Sequence, residues 1–257
     1  MIATLWRDQR KLMVAGILCG VFFIVSLLFS VIDDSQILGL NRWIKPAKFF
    51  ISTNIFLWTV AIYLQNLKGH ERFSRRVSWI MIVIFAIELT AVTGQSVRGV
   101  KSHFNISGPV DGIVFAIMGL AIALNTILVI IILYKYFRSE IDLPITVVWG
   151  MRLGLIVFLL GSIQGGYMSA QMGHTVGAID GGVGLPFSNW STVAGDLRVA
   201  HFLGLHALQL TPIFAFGLER FRVSARTVIT FAFAFFYVGI FAYTFAEALQ
   251  GKPLISF

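Results

Sequence analysis

The sequence predicts an all-α integral membrane protein with seven transmembrane helices. Hydrophobic residues make up 57% of the 257 residues, charged residues make up 12%, and the mean hydropathy is +0.84, which excludes an ordinary soluble domain. Apolar runs of roughly twenty residues recur along the chain, and this is the length that a helix needs to cross about 30 Å of hydrocarbon. The basic residues form short clusters between these runs, which is typical of membrane-protein loops.

The apolar runs predict a single transmembrane domain over residues 1–257. The spans are expected near 12–32, 47–67, 77–97, 113–134, 145–170, 197–217 and 227–249. The first run follows a basic start but is about twenty residues long and lacks a small-residue cleavage pattern, so we expect a retained span. Cys19 is the single cysteine, which excludes an intrachain disulfide and a cysteine-based metal site.

The distribution of basic residues predicts the orientation. An odd number of spans puts the termini on opposite sides, and a cytoplasmic amino terminus leaves twelve basic residues inside and seven outside. Because short cytoplasmic loops are enriched in Lys and Arg, we expect the amino terminus in the cytoplasm and the carboxy terminus on the extracytoplasmic side. The pattern indicates a bacterial inner (plasma) membrane protein. The formal charge of +8 comes from short basic clusters in separate loops and not from one basic face, so no nucleic-acid partner is expected.

One stretch places ionisable residues inside an apolar span. Residues 195–209 read GDLRVAHFLGLHALQ and contain Asp196, Arg198, His201 and His206. Ionisable groups are costly in hydrocarbon and usually face a bundle interior or a wet cavity, so this stretch is the predicted functional site. The pair Asp196 and Arg198 fits an anion-binding role and a helix-capping role equally well. The histidines fit proton transfer, with polar contacts between helices as the alternative.

Helix rise predicts which buried polar groups share a depth. Glu88 lies about eleven residues from the inner end of the third span, and His206 and Asn125 are similarly central in theirs. A lone carboxylate in a low dielectric takes up a proton or finds a partner, so Glu88 and His206 are expected to meet. Most other polar residues of the spans lie in their outer halves, which predicts a pocket that opens outward.

The candidate site residues fall into three roles. The residues assigned to catalysis are His201, His206, Glu88 and Asp196. Those assigned to substrate binding are Arg98, Arg198, Gln95, Gln164 and Lys48. The candidate metal ligands are His103, His174, His201 and His206.

The sequence does not decide whether the protein binds a metal ion or has no cofactor. Five residues of helix leave the imidazoles of His201 and His206 roughly 140° apart, so one metal ion would need ligands from other segments as well. Haem is not expected, because ligation by two histidines needs facing helices and no second span contains a histidine.

Three function classes remain open at this level. The pattern favours a membrane-embedded enzyme that acts on a lipid-like or amphipathic substrate from the outer face, with membrane lipid as its partner. The alternatives are a small proton-coupled transporter with a Glu88–His206 coupling site, and a receptor or assembly protein without catalysis. No oligomeric state is predicted.

Two further features are interpreted in two ways each. The glycine-rich loop 173–194 is a vestibule wall or a connector without a role. Spans one to three and five to seven are a parallel repeat or unrelated, and the motif behind the repeat is short: Ala47-Lys48-Phe49 resembles Ala200-His201-Phe202.

Overall fold

Seven long apolar helices account for most of the computed structural model, which describes residues 2–256. They are α2 (Arg10–Ile32), α3 (Ile44–Gln65), α4 (Glu71–Val97), α5 (Pro109–Arg138), α6 (Ile145–Ala170), α7 (Leu197–Arg220) and α8 (Arg226–Leu249). A short helix, α1 (Ile2–Asp8), precedes them. Each of the seven is long and apolar enough to cross a membrane, so the predicted all-α, seven-span fold is confirmed.

The largest difference from the predicted spans is at the start of α4. This helix begins at Glu71, six residues before the predicted span, and its first turns read ERFSRR. Charged residues lower the mean hydropathy, so these turns were not predicted as part of the span. They are helical because Arg and Glu form helix readily and an acidic residue in the first turn interacts favourably with the helix dipole. Three arginines therefore lie on the helix and not in the preceding loop.

The chain forms two compact units, Met1–Leu128 and Val129–Phe257, and the boundary falls within α5. In the first, the amino-terminal unit, α3 packs against both α2 and α4. Strands β1 (Gln36–Ile37) and β2 (Leu40–Asn41) form an antiparallel hairpin between α2 and α3. Its two turn residues, Leu38 and Gly39, both have positive φ, as a tight two-residue hairpin requires.

The carboxy-terminal unit, Val129–Phe257, is built around α7, which packs against α6 and α8. Strand β3 (Thr175–Val176) pairs with β4 (Gly195–Asp196) immediately before α7 begins. Gly161 of α6 and Gly204 of α7 meet backbone to backbone: a Cβ on Gly161 would lie 2.8 Å from the carbonyl carbon of Gly204. Glycine at both positions allows this close approach.

Each unit contains the same run of elements: a long helix, two antiparallel strands and two further long helices. These helices are α2, α3 and α4 in the first unit and α6, α7 and α8 in the second. The motif behind the repeat hypothesis also has the same register, because Ala47 and Ala200 are each the fourth residue of their helix. Both alanines are fully buried. The shared order supports the repeat hypothesis more strongly than the three-residue motif does.

Candidate functional site

The amino end of α7 is organised by Asp196. This residue is the N-cap, and its Oδ1 accepts hydrogen bonds from the backbone N–H of Arg198 at 3.0 Å and from Arg198 Nε at 2.9 Å. Its Oδ2 accepts from Arg198 Nη2 at 2.6 Å and from the Ser191 N–H at 2.8 Å. The Asp196 side chain is fully buried, and a buried carboxylate needs such partners.

These contacts keep Asp196 ionised. Burial opposes the charged form, but the hydrogen bonds and the charge of Arg198 outweigh it, so the pKa of this carboxyl lies below its usual range. A carboxylate with four donors and a lowered pKa is a weak proton acceptor. The geometry therefore favours a capping and positioning role for Asp196 over the catalytic one.

The loop 173–194 is tied to this cap by polar contacts. Asp180 accepts from the backbone N–H of Thr175 at 2.9 Å, and its Oδ1 lies 3.3 Å from His174 Nδ1. The same imidazole nitrogen lies 4.0 Å from Asp196 Oδ1. Arg198 Nη2 also donates to the Asn189 carbonyl. The loop thus has a defined structure around Asp196 and Arg198, which fits a vestibule wall better than a plain connector.

His201 contacts α6. Its Nδ1 lies 2.9 Å from the Gly161 carbonyl oxygen, and a Cβ on Gly165 would lie 2.6 Å from its Cε1. A carbonyl oxygen can only accept, so Nδ1 carries the proton and the neutral ring has its lone pair on Nε2. This arrangement holds a histidine in one tautomer, with Nε2 available as a base or ligand.

His206 has different neighbours. Its ring centroid lies 4.2 Å from that of Phe202, and its side chain hydrogen-bonds with Gln209, so its contacts lie along α7 itself. His201 instead points into the α6 contact. The two histidines interact electrostatically, but their hydrogen-bond partners differ.

Gln164 adds a polar group to the α6 face that meets α7. Its Nε2 donates to the Leu197 carbonyl at 2.9 Å, while its Oε1 is buried without a hydrogen-bond partner. Gly161, Gln164 and Gly165 are spaced i, i+3, i+4 and so share one helix face. His201 and an unpaired acceptor consequently lie on the same α6–α7 contact.

A small cavity lies beside the cap. It has a volume of about 40 Å³, and its lining includes Asp196, Tyr243, Thr244 and Glu247. This space suits one or two water molecules and no larger substrate.

In the amino-terminal unit, the predicted binding residues Gln95 and Arg98 meet Asp111. Asp111 Oδ1 accepts from Gln95 Nε2 at 2.9 Å and from Arg98 Nη1 at 2.7 Å, and Arg98 also donates to Gln95 Oε1. His103 lies nearby in sequence, with Nδ1 3.1 Å from Ser102 Oγ and its ring 5.3 Å from that of Phe49. Lys48 is half-buried beside Phe49 on α3. Arg98 is thus held by its own unit and keeps an exposed side chain.

Glu88 differs from every other acid in the part of the chain that the structure describes. It is 2% exposed, and both carboxyl oxygens are buried without a hydrogen-bond partner. Lys45 interacts with it electrostatically. Asn125 of the same unit is also buried with an unpaired Oδ1. Glu88 and His206 belong to different units, so their expected meeting stays a prediction.

Sequence reasoning missed several residues that define this site. Asp180 and Ser191 lie in an irregular loop, where spacing gives no indication of contacts. Gly161 has no side chain that could indicate a role, although its carbonyl orients His201. The GxxxG spacing opposite a histidine-bearing helix was the available signal.

The four candidate metal ligands are distributed over both units, with His103 in the first and the others in the second. Across residues 2–256, no three His, Cys, Asp or Glu side chains are grouped closely enough to hold a metal ion. No family model matches the chain, and no curated protein or solved structure is significantly similar to it.

Proposed function

We propose that this polytopic membrane protein is a membrane-embedded enzyme in which His201 transfers a proton to or from an amphipathic, lipid-like substrate. The observation that carries the proposal is the 2.9 Å contact between His201 Nδ1 and the Gly161 carbonyl. It fixes the tautomer with the lone pair on Nε2, which is the form that a general base needs.

The neighbouring groups support a substrate role near His201. Gln164 Oε1 is a buried acceptor without a partner on the α6 face that His201 contacts, so it is suited to accept a hydrogen bond from a substrate hydroxyl or amide. Arg198 uses Nε and Nη2 for Asp196, which leaves Nη1 for an anionic group. In this proposal Asp196 positions Arg198, and His206 is an accessory group.

The surroundings favour an amphipathic substrate. Phe202 is exposed beside His201 in sequence, and it packs against Trp190 of the loop 173–194. An aromatic surface next to a charged arginine suits a molecule with an apolar body and a polar head. Entry from the outer face follows from the predicted orientation and belongs to the proposal.

The test uses His201→Asn, because an Asn amide N–H can still reach the Gly161 carbonyl while the base is removed. The purified protein is incubated with a bacterial total polar lipid extract, and products are followed by mass spectrometry. We expect a lipid species converted by the natural protein and a rate about 10²–10⁴-fold lower in the variant.

Two adjacent glycines provide a matched control. An alanine at Gly165 would push against the imidazole of His201, whereas a Cβ on Gly166 meets nothing within 4 Å. We expect Gly165→Ala to lose activity and Gly166→Ala to retain it. Conversion that persists in His201→Asn, or a natural protein that leaves every lipid unchanged, would exclude this enzyme.

Glu88 favours a second candidate function, a proton-coupled carrier. A buried carboxyl group with two unpaired oxygens is a proton-binding site by default in a membrane segment. In liposomes with an entrapped pH-sensitive dye, we expect Glu88→Gln to abolish proton uptake and His201→Asn to retain it. Proton uptake that is unchanged in Glu88→Gln would exclude the carrier.

A further inference from the structure

A positively charged depression lies where α2 and α4 begin. It has a volume of about 380 Å³, it is open to the surface, and it is lined by Lys11, Arg72, Arg75, Arg76 and Trp79. The three arginines are spaced i, i+3, i+4 and so share one face of α4. Lys11 belongs to the first turn of α2, and its Nζ lies 4.6 Å from the centroid of the Trp79 ring. Two helices therefore build one basic surface.

The charge of this depression is largely uncompensated. Within residues 2–256, none of its four basic side chains has a carboxylate within 4.0 Å. Glu71 interacts with Arg75 electrostatically, but its Oε1 also accepts a hydrogen bond from the Gly69 N–H at 3.0 Å. By contrast, four arginines elsewhere each have an Asp or Glu partner, namely Arg42, Arg98, Arg198 and Arg226. Four exposed cations in one depression favour an anionic ligand.

The exposed surface that continues from the depression is apolar. Along α4 the same stripe continues through exposed Ile80, Val83 and Ile87. Along α2, Lys11 is followed at helical spacing by exposed Val14 and Leu18. Trp79 is 53% exposed at the junction, where interfacial aromatic residues lie in membrane proteins. A ligand with a phosphate head and hydrocarbon chains matches both parts of this surface.

We infer that the depression binds the phosphate headgroup of an anionic phospholipid, with the acyl chains along the exposed faces of α2 and α4. Basic pockets between transmembrane helices recognise such headgroups. A free phosphate would match the cations but leave the apolar stripe without a role. The site lies within the amino-terminal unit and does not depend on the proposed enzyme activity.

The experiment measures lipid binding to the purified full-length chain in detergent micelles by native mass spectrometry. The probes are phosphatidylglycerol and phosphatidylcholine. We expect tighter binding of phosphatidylglycerol, and Arg72→Gln/Arg75→Gln/Arg76→Gln should weaken it. The expected loss is about fivefold for each cation removed and on the order of 100-fold for three.

The matched control removes three cations elsewhere, in Arg138→Gln/Arg220→Gln/Arg222→Gln, and should bind phosphatidylglycerol as the natural protein does. If the α4 triple variant fails to fold, Lys11→Gln alone should show the fivefold loss. Equal loss in the control would indicate a general charge effect and overturn the site. Equal binding of phosphatidylcholine would also overturn it, as would inorganic phosphate that binds as tightly as phosphatidylglycerol.

Discussion

Each unit has an Asp–Arg pair close to the start of one helix, α3 in the amino-terminal unit and α7 in the carboxy-terminal unit. The two pairs differ in burial. In the amino-terminal unit, Asp33 Oδ2 accepts from Arg42 Nε at 2.6 Å and from Trp43 Nε1 at 2.7 Å, and its side chain is 21% exposed. In the carboxy-terminal unit, the Asp196 side chain is fully buried. The Asp–Arg pair is thus partly exposed to solvent in one unit, and in the other its carboxylate is fully buried.

A second parallel concerns glycine carbonyls. Asn54 Nδ2 of α3 donates to the Gly16 carbonyl of α2 at 2.6 Å, and His201 of α7 contacts the Gly161 carbonyl of α6 at 2.9 Å. Asn54 cannot titrate, whereas His201 can. The same kind of packing contact therefore involves a side chain that cannot titrate in the first unit and a titratable one in the second.

The largest expected loss of stability comes from removing the aspartate of the buried Asp–Arg pair. Asp196→Ala removes the cap of α7 and leaves Arg198 without its carboxylate, so we expect it to lower the free energy of unfolding by about 3–5 kcal/mol. Asp33→Ala should cost less, because water can replace its contacts. Reversible unfolding in detergent micelles measures both. Equal losses in the two variants would remove the distinction between a surface pair and a buried one.

The second effect concerns two helix contacts, α2–α3 in the amino-terminal unit and α6–α7 in the carboxy-terminal unit. In the α6–α7 contact, a Cβ on Gly161 would meet the Gly204 backbone, which cannot rotate away. Gly161→Ala should therefore cost about 1–3 kcal/mol. Gly16→Ala would meet the side chain of Trp58 in the amino-terminal unit, and a side chain can shift, so a smaller loss is expected.

The control for these alanines is Gly239→Ala in α8, since a Cβ there meets nothing within 4 Å. Its unfolding free energy should stay close to that of the natural protein. A loss in Gly161→Ala no larger than that of the control would mean that the α6–α7 contact is looser than its geometry indicates.

A pH series sharpens the comparison of the two carboxylates. Hydrogen bonds from Ser35 and Trp43 lower the pKa of Asp33, and the contacts of Arg198 lower that of Asp196 against the opposing effect of burial. Both groups bind protons more readily when unfolded, so their stabilisation is present above about pH 4 and is lost as pH falls through the lowered folded values. In a plot of the unfolding midpoint against pH, Asp196→Asn should reduce the slope on the acid side. An unchanged acid limb would contradict an ionised Asp196.

Much of the fold could be predicted because hydropathy alone defines a span. It gave the end of α4 at Val97 but not its start, since Arg72, Arg75 and Arg76 lower the mean hydropathy without hindering helix formation. The hairpins were missed for a different reason. Strands of two residues have no period, and the β1–β2 turn uses Leu38 at positive φ, which no turn signal indicates.

The candidate site was predictable only where its partners are neighbours in the sequence. Asp196 and Arg198 are two residues apart, and their contact follows from a helix start. His174 lies 22 residues before Asp196, and the partner of His201 is a backbone carbonyl, which a search for side-chain chemistry does not reveal. Side-chain patterns locate such a site but do not give its hydrogen bonds.

The smallest expected effect on stability concerns Glu88 and is the sharpest contrast with Asp196. Its oxygens have no hydrogen-bond partners, so Glu88→Gln removes no such contact and supplies a group of similar shape. We expect the free energy of unfolding to change by less than about 1 kcal/mol, because removing a polar group without partners forfeits little. The measurement is the same unfolding in detergent, at neutral pH. A loss of several kcal/mol would instead mean that Glu88 is ionised and that the Lys45 charge stabilises it, as Arg198 stabilises Asp196. Both units would then bury an ion pair, and the amino-terminal unit would no longer be distinguished by an unpaired acid.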